Sequence, residues 1–359
     1  MSSKLNSAQI LDQVIQRQAS DLHVVVGVAP FLRVSTRLSP IEGYEAITNE
    51  DVEYFLSQLI DDQQRQLLEI NKEIDFSVSL GNKARFRVNA FYQKGYLSVA
   101  MRHIPLIIPS FDSLNLPQNL VSITDIHQGL VLVVGPTGQG KSTTIASMID
   151  RINEQRAEHI ITIEDPIEYV FTNKKSLVEQ REMYLDTNSW DGALKSILRQ
   201  DPNVVLIGEL RDSETMVAAL QIAETGHLVF ATLHTNSAAQ TVERIISSFG
   251  NEKQVEIRTQ LAQVTEIVIS QRLLPSLQGG IVPAVEIMLG TDAIKSMIRD
   301  NKTHMIDNAI STGFQLGMTT LERSLAQLIS EGKVDYEIAL KYTNHPEELK
   351  RMLGQRTKK

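Results

Sequence analysis

The chain has 359 residues, 42% hydrophobic and 22% charged, with a formal net charge of −8 and no cysteine. Disulfides and cysteine-based zinc sites are therefore excluded, and the acidic balance disfavours a protein built mainly to grip nucleic acid. The length predicts two domains at roughly 150 residues each. No run of about 18 apolar residues occurs, so no membrane span is expected.

The N-terminal "MSSKLNSAQILDQVIQRQ" lacks the apolar core of a signal peptide. Its Ala8, Leu11 and Val14/Ile15 recur at helical spacing and predict a short amphipathic helix. "DLHVVVGVAPFLRV" is strand-like but interrupted by Gly27 and Pro30. "NEDVEYFLSQLIDDQQRQLLEI" has helical periodicity, with Asn49 as its expected N-cap. In "EIDFSVSL", Ile74, Phe76, Val78 and Leu80 alternate with polar residues, as in a half-buried strand. "ARFRVNAF" repeats that alternation, and so does "YLSVAMR" after a Gln-Lys-Gly turn. Phe86, Val88 and Ala90 share one face, which leaves Arg85 and Arg87 on the other. Leu97, Val99 and Met101 point inward, so Arg102 points outward. A hairpin of these strands would gather three guanidiniums on one surface, either as a phosphate clamp or as a plain solvated face. Residues 1–107 thus read as a small α+β domain.

A stretch with prolines at 105, 109 and 117 and little periodicity marks a linker, placed at 108–118. From residue 119 the pattern changes to short apolar strands, at 130–134, 159–163, 204–208 and 228–232, separated by helical segments. Such strands are buried on both faces of a parallel sheet, and the second domain, 119–359, is expected to be doubly wound α/β. After about residue 285 the pattern is helical, ending in "RTKK", read as a solvated tail.

"VLVVGPTGQGKSTT" carries the chemistry. Gly135, Gly140, Lys141 and Ser142 satisfy G-x-x-x-x-G-K-[ST] between a strand and a helix. Backbone N–H groups from Gly135, Pro136, Thr137, Gly138, Gln139 and Gly140 onward to Thr143 are expected to surround a nucleotide's phosphates, proline excepted as a donor. Lys141 adds a point charge and the Ser142 hydroxyl a magnesium ligand. "NVVLIGELRD" ends a strand in Gly208–Glu209, and Glu209 there either helps hold the metal or pairs with Arg211. "ITIEDPIEY" crowds Glu164, Asp165 and Glu168 at another strand end, as candidates for water activation and magnesium or as a solvated acidic turn. His227 and His234 bracket a third strand, "TGHLVFATLHT", where either senses phosphate or is structural. In "SWDGALKSILRQDP", Lys195 and Arg199 stack at i, i+4 on a helix ended by Asp201–Pro202.

In this order and spacing, the four segments resemble the Walker A, Asp box, Walker B and His box of the secretion and pilus motor ATPases. "ASDLHV" and "RFRVNAF" are similar to the PAS-like N-terminal domain of the twitching-motility branch. "AIKSMIRD", residues 293–300, keeps Ala293, Ile294, Ile298 and Arg299 of a C-terminal helix pattern found in retraction motors. Read bare, it is an amphipathic helix with Ile294, Met297 and Ile298 inward and Lys295 and Arg299 outward. The resemblance implies a PAS-like α+β domain followed by a RecA-like P-loop ATPase domain with a helical C-terminal region, using ATP and Mg²⁺. It implies a homohexameric ring, cytoplasmic and peripheral at the inner membrane, working on a pilus platform protein and alongside an accessory retraction ATPase, with no nucleic-acid partner. It makes Glu164 the base that orients water and Glu209 the magnesium-linked acid. Arg87 and Arg102 become arginines that reach a neighbour's nucleotide, with Arg85 beside them, and Arg199 one supplied by the nucleotide domain. His227 and His234 become participants. Lys195 stands where related motors carry arginine and lacks its bidentate fork.

Other readings remain open from the residues. An accessory retraction ATPase shares the same boxes. An assembly motor would be expected to add a long N-terminal domain and a four-cysteine zinc site. A nucleic-acid-translocating ring would be expected to show a basic strip with aromatic residues, and a scaffold would bind ATP without turnover.

Overall fold

Alternating apolar residues in the first hundred positions build an antiparallel sheet, and continuous apolar runs after residue 128 build a parallel one. The computed structural model describes residues 5–34, 37–81, 83–104 and 107–354. Pro105 and the terminal "RTKK" lie outside the described residues. The chain divides into two units, Met1–Ile107 with Glu168–Val170, and Ile108–Ile167 with Phe171–Lys359.

The first unit runs α1 (Ser7–Gln16), β1 (Asp21–Val25), β2 (Phe31–Val34), β3 (Arg37–Pro40), α2 (Asn49–Ser57), α3 (Asp62–Asn71), β4 (Glu73–Leu80), β5 (Ala84–Gln93) and β6 (Tyr96–Ile104). Its strands form an antiparallel sheet in the order β3-β2-β1-β6-β5-β4. Helix α1 buries Ile10, Leu11 and Val14, whereas Ala8 is exposed. The stretch from Asn49 to Asn71 is two helices, not one, because two caps compete for it. The Thr48 side chain accepts from the Asp51 N–H while the Asp51 carboxylate accepts from the Thr48 N–H, so Thr48 rather than Asn49 is the N-cap. Asp61 and Gln64 repeat the same box and restart the helix. Phe55, Phe86, Val88, Val99 and Met101 anchor this unit's core.

The second unit contains β7 (Gly129–Val134), α4 (Lys141–Gln155), β8 (His159–Glu164), β9 (Leu177–Glu182), α5 (Trp190–Ile197), β10 (Val204–Ile207), α6 (Ser213–Glu224), β11 (Leu228–Leu233), α7 (Ala238–Ser247), α8 (Gln254–Val264), β12 (Thr265–Pro275) and β13 (Ile281–Leu289). Five helices follow: α9 (Asp292–Arg299), α10 (Ile306–Thr312), α11 (Leu321–Ser330), α12 (Tyr336–Ala339) and α13 (Pro346–Met352). The sheet order is β13-β12-β7-β11-β10-β8-β9, parallel throughout except for the β12–β13 pair. Strands β9, β12 and β13 escape the sequence reading. The helical region accordingly starts at Asp292 and not near 285, because 281–289 completes a hairpin. Residues 108–118 are no open linker: their turn Phe111–Leu114 packs on α4 and buries Phe111. Helix α9 buries Ile294 and Ile298 in the main core, with Met297 packed against it, while Lys295 pairs with Glu266 at 2.9 Å.

One buried acid leaves a pH signature. The Glu286 carboxylate accepts from the Ala238 N–H at 2.7 Å, at the start of α7. Burial pushes its pKa up from 4.5 to about 7; Asp307 and Glu322 reinforce the rise, and Arg272 opposes it. The unfolded chain ionises first, so this carboxyl's contribution is present below about pH 4.5 and is lost as pH rises to about 7. That loss is on the order of 3 kcal/mol. Glu286→Gln should flatten the decline in unfolding free energy across this window, measured by urea denaturation of both proteins; an unchanged slope would refute the assignment.

Candidate active site

Strand β7 delivers the phosphate loop, and two of its glycines are required by the neighbour on its flank. A Cβ on Gly135 (φ 145) would lie 2.5 Å from the Gln271 carbonyl oxygen on β12. One on Gly140 (φ 76) would meet the Gln271 amide nitrogen at 3.0 Å and Leu273 at 3.1 Å. The loop then turns into α4, whose first residue, Lys141, is 7% exposed. Its ammonium donates to the carbonyls of Gly135 at 2.9 Å and Pro136 at 3.0 Å, so the charge stands inside the loop's curve. Pro136, Thr137 and Gly138 are exposed and Ser142 and Thr143 are half-buried. Gln139 is tied sideways to β12, a contact that no motif announces: its Oε1 accepts from the Leu273 N–H at 2.7 Å.

The parallel register brings the other candidates to the same edge. His234, just past β11, has Nδ1 at 3.4 Å from the Lys141 ammonium and 3.5 Å from the Thr137 hydroxyl. Its Nε2 lies 3.2 Å from Glu209 Oε1. An ammonium only donates and a carboxylate only accepts, so the Nε2–H tautomer satisfies both neighbours. Glu209 also takes the Arg211 Nε at 2.8 Å, and Arg211 reaches Asp165 at 3.5 Å. The bond from Glu209 holds the Arg211 pKa above its ordinary value. A polar chain thus runs Lys141, His234, Glu209, Arg211, Asp165. Gly208, which precedes Glu209, sits close to β8: a Cβ there would stand 3.3 Å from the Glu164 Cα and 3.4 Å from the Ile163 oxygen.

Glu164, at the end of β8, is 7% exposed and accepts from the Thr162 hydroxyl at 2.7 Å and the Gln180 amide at 3.2 Å. Of the acids of "ITIEDPIEY", Glu164 is buried and Asp165 faces Arg211 at 3.5 Å.

His227 is not at this edge. It precedes β11, so it sits at the strand's opposite end, roughly 20 Å away at ~3.3 Å per residue. There its Nδ1 lies 3.0 Å from the Ile222 carbonyl and 3.0 Å from the Thr225 hydroxyl, beside the end of α6. It therefore does not join Lys141, Glu209 and His234, contrary to its expected place beside the nucleotide. Arg199 and Lys195 also change context. Helix α5 ends at Ile197, short of the Asp201–Pro202 stop, so exposed Arg199 lies in the turn beyond it rather than stacked on the same helical face. Lys195 pairs with Asp191 at 2.8 Å.

In the first unit, β5 and β6 do form the hairpin, with Arg87 directly opposite Arg102 and Arg85 opposite Ile104. Across the sheet, buried Asp21 stands between two arginines, 3.0 Å from the Arg102 Nε and 3.5 Å from the Arg33 Nε. Arg102 nonetheless leaves 71% of its side chain exposed, and Arg87 touches Asp75 only at 4.0 Å.

A profile of the type II/IV secretion system protein family matches residues 3–282. The chain is 42% identical over 343 residues, 96% of its own length and 99% of the relative's, to the type IV pilus retraction ATPase PilT of Pseudomonas aeruginosa. It is 37% identical to the type IV pilus ATPase PilU of the same organism, over 96% of this chain and 90% of that one. Its fold superposes on a crystal structure of the pilus retraction motor PilT with bound ADP at a TM-score of 0.91, covering 97% of this chain and 99% of the other at 42% identity. Gln180, Gln271 and Arg272 are not singled out by the sequence, whereas the Glu209–Arg211 pair is one of the two alternatives it offers. The available signal was polar residues set inside or just after apolar strands, as in "EIVISQRLLP".

Proposed function

The chain belongs to the type II/IV secretion system protein family and is an ATPase of that family, and we propose that its work is the retraction of a type IV pilus. The observation that carries this reading is the near-full-length likeness to the Pseudomonas aeruginosa retraction ATPase, in sequence and in fold. The site supports it, because the strand edge joins a phosphate loop to two acids and a histidine without a gap.

In this reading Lys141 and the loop N–H groups bind the β- and γ-phosphates. Glu164 orients the attacking water and accepts its proton, with Thr162 and Gln180 fixing the carboxylate. The Ser142 hydroxyl and the Glu209 carboxylate would hold Mg²⁺, which supplies neutralising charge between the phosphates. Both are hard oxygen donors, the ligand type that Mg²⁺ takes. His234 connects the loop to Glu209, so it can register whether the loop is filled. Six copies form a ring, in which Arg85, Arg87 and Arg102 of one subunit and Arg199 of the nucleotide-binding unit complete the charge balance around a phosphate. One such arginine is worth ~10³–10⁵ in rate. No helix among the described residues is long and apolar enough to cross a membrane, and the ring is placed at the cytoplasmic face of the inner membrane by a platform protein.

Likeness to the PilU relative favours a second reading, an accessory retraction ATPase. Deleting the gene and counting surface pili separates the two. Excess pili without twitching supports the principal motor, unchanged pili with weaker retraction supports the accessory one, and bald cells overturn both. Glu164→Ala is expected to bind ATP yet hydrolyse it at least about a hundredfold more slowly; near-normal turnover would remove it as the base. Arg87→Ala should lower hydrolysis by assembled rings about a hundredfold or more while an isolated subunit binds nucleotide normally. Rings of that variant that turn over like the parent would end the trans-acting role.

A further inference from the structure

We propose that Gln139 and Gln271 form a reciprocal bracket that holds the phosphate loop in its binding shape, which makes both of them positioning residues for ATP hydrolysis. The inference rests on the loop binding nucleotide and concerns how the loop is kept ready.

Gln271 is a primary amide at 2% exposure in a strand otherwise mostly apolar. A buried amide must be satisfied on both of its atoms. Its Oε1 accepts from the Thr144 hydroxyl on the first turn of α4 at 2.9 Å, and its Nε2 donates to the Gln139 carbonyl at 2.8 Å. Gln139 answers with its own side chain, whose Oε1 accepts from the Leu273 N–H at 2.7 Å. Main chain and side chain therefore exchange roles across the gap: each glutamine uses its amide group on the other's strand or loop. The bracket spans the loop's end and the start of its helix, where the phosphate-facing N–H groups lie.

The loop needs such a hold. Gly135, Gly138 and Gly140 all have positive φ, and glycine loses more conformational freedom on ordering than any other residue. A loop left to order itself would meet that cost on each binding event, whereas a loop ordered during folding does not. Close approach makes the hold possible, since Gly135 and Gly140 leave no room for a side chain between the loop and residues 271–273. The next residue extends the same hold to the second loop of the site. Arg272 donates to the Gln271 carbonyl at 2.9 Å and to the Asn236 carbonyl and side-chain oxygen at 3.0 and 3.1 Å. Two consecutive residues of β12 thus grip the phosphate loop and the segment following His234.

The bracket predicts a specific pattern in the full-length protein. Calorimetric titration with ADP, steady-state ATPase kinetics and thermal unfolding without nucleotide would be run on Gln139→Ala, Gln271→Ala, Gln271→Glu and the Gln139→Ala/Gln271→Ala double variant. Gln139→Ala should weaken ADP binding about tenfold and raise the KM for ATP in proportion, with a smaller fall in kcat. Gln271→Glu keeps an acceptor for Thr144 but sets a carboxylate against the Gln139 carbonyl, so it should match Gln139→Ala. The double variant should bind worse than either single one, because each side chain bonds the other segment's main chain and survives the other's removal. Affinity unchanged in Gln139→Ala, or a double variant no weaker than Gln139→Ala alone, would overturn the bracket. So would a lowered unfolding temperature with normal affinity, the mark of core packing alone. If Gln271→Ala does not fold, Gln139→Ala and Gln271→Glu still decide the matter. Lys141→Ala is the control: if it binds ADP normally, the reading of the loop itself has failed, separately from the bracket.

Discussion

The site depends on one constraint, the parallel pairing of β7, β8, β10 and β11. Parallel strands share an orientation, so their carboxyl ends share an edge. Lys141, Glu164, Glu209 and His234 come from four separate stretches of sequence and meet there because each follows or ends one of these strands. Glu164, Glu209 and His234 lie within two residues of their strand ends, and Lys141 arrives through the phosphate loop that follows β7. The strands are buried on both faces, which stiffens the edge and holds each side chain near its place. The β12–β13 hairpin extends the same sheet past β7 and adds a lateral wall to the phosphate loop.

How much of this was legible in the sequence follows from what each signal measures. The phosphate loop, the four core strands and the outward arginines of β5 and β6 are all readable, because periodicity reports which face is buried. Partner choice is not readable. Nothing in "TEIVISQRLLP" says that its glutamine faces the phosphate loop, since that depends on β12 lying beside β7 and not elsewhere in the sheet. His227 shows the same limit from the other side. It brackets its strand as neatly as His234 does, but a strand has two ends and only one of them is the ligand edge. Glu164 and Asp165 are adjacent in sequence yet meet different neighbours, Thr162 and Gln180 for the first and Arg211 for the second. The helix break at residue 61 is different in kind, since Asp61 with Gln64 is a capping box written locally in the sequence.

In the first unit, the row from Arg33 through Asp21 to Arg102 shows how an exposed charge can be aimed. Asp21 is buried enough to be fixed by the sheet, and it holds Arg102 by the Nε, the nitrogen nearest the stem. The two outer nitrogens of the guanidinium are left to other partners. Lys195 contrasts with this, since its ammonium is its sole donor group and already faces Asp191 on its own helix. A guanidinium spreads its donors over a fixed fork, so one nitrogen can anchor while the others are presented; an ammonium's three donors leave a single atom, so its anchor and its charge stay together.

Gly208 carries a consequence for how this sequence can change. The atoms that crowd its missing side chain, the Glu164 Cα and the Ile163 carbonyl, are main-chain atoms. A side-chain neighbour can be swapped for a smaller one by a second substitution, but a main-chain neighbour offers nothing to trim. A side chain at position 208 would therefore need a shift of a few tenths of an ångström between the end of β8 and the segment after β10. Change at this position is coupled to the spacing of the two carboxylates, Glu164 and Glu209, that these segments carry.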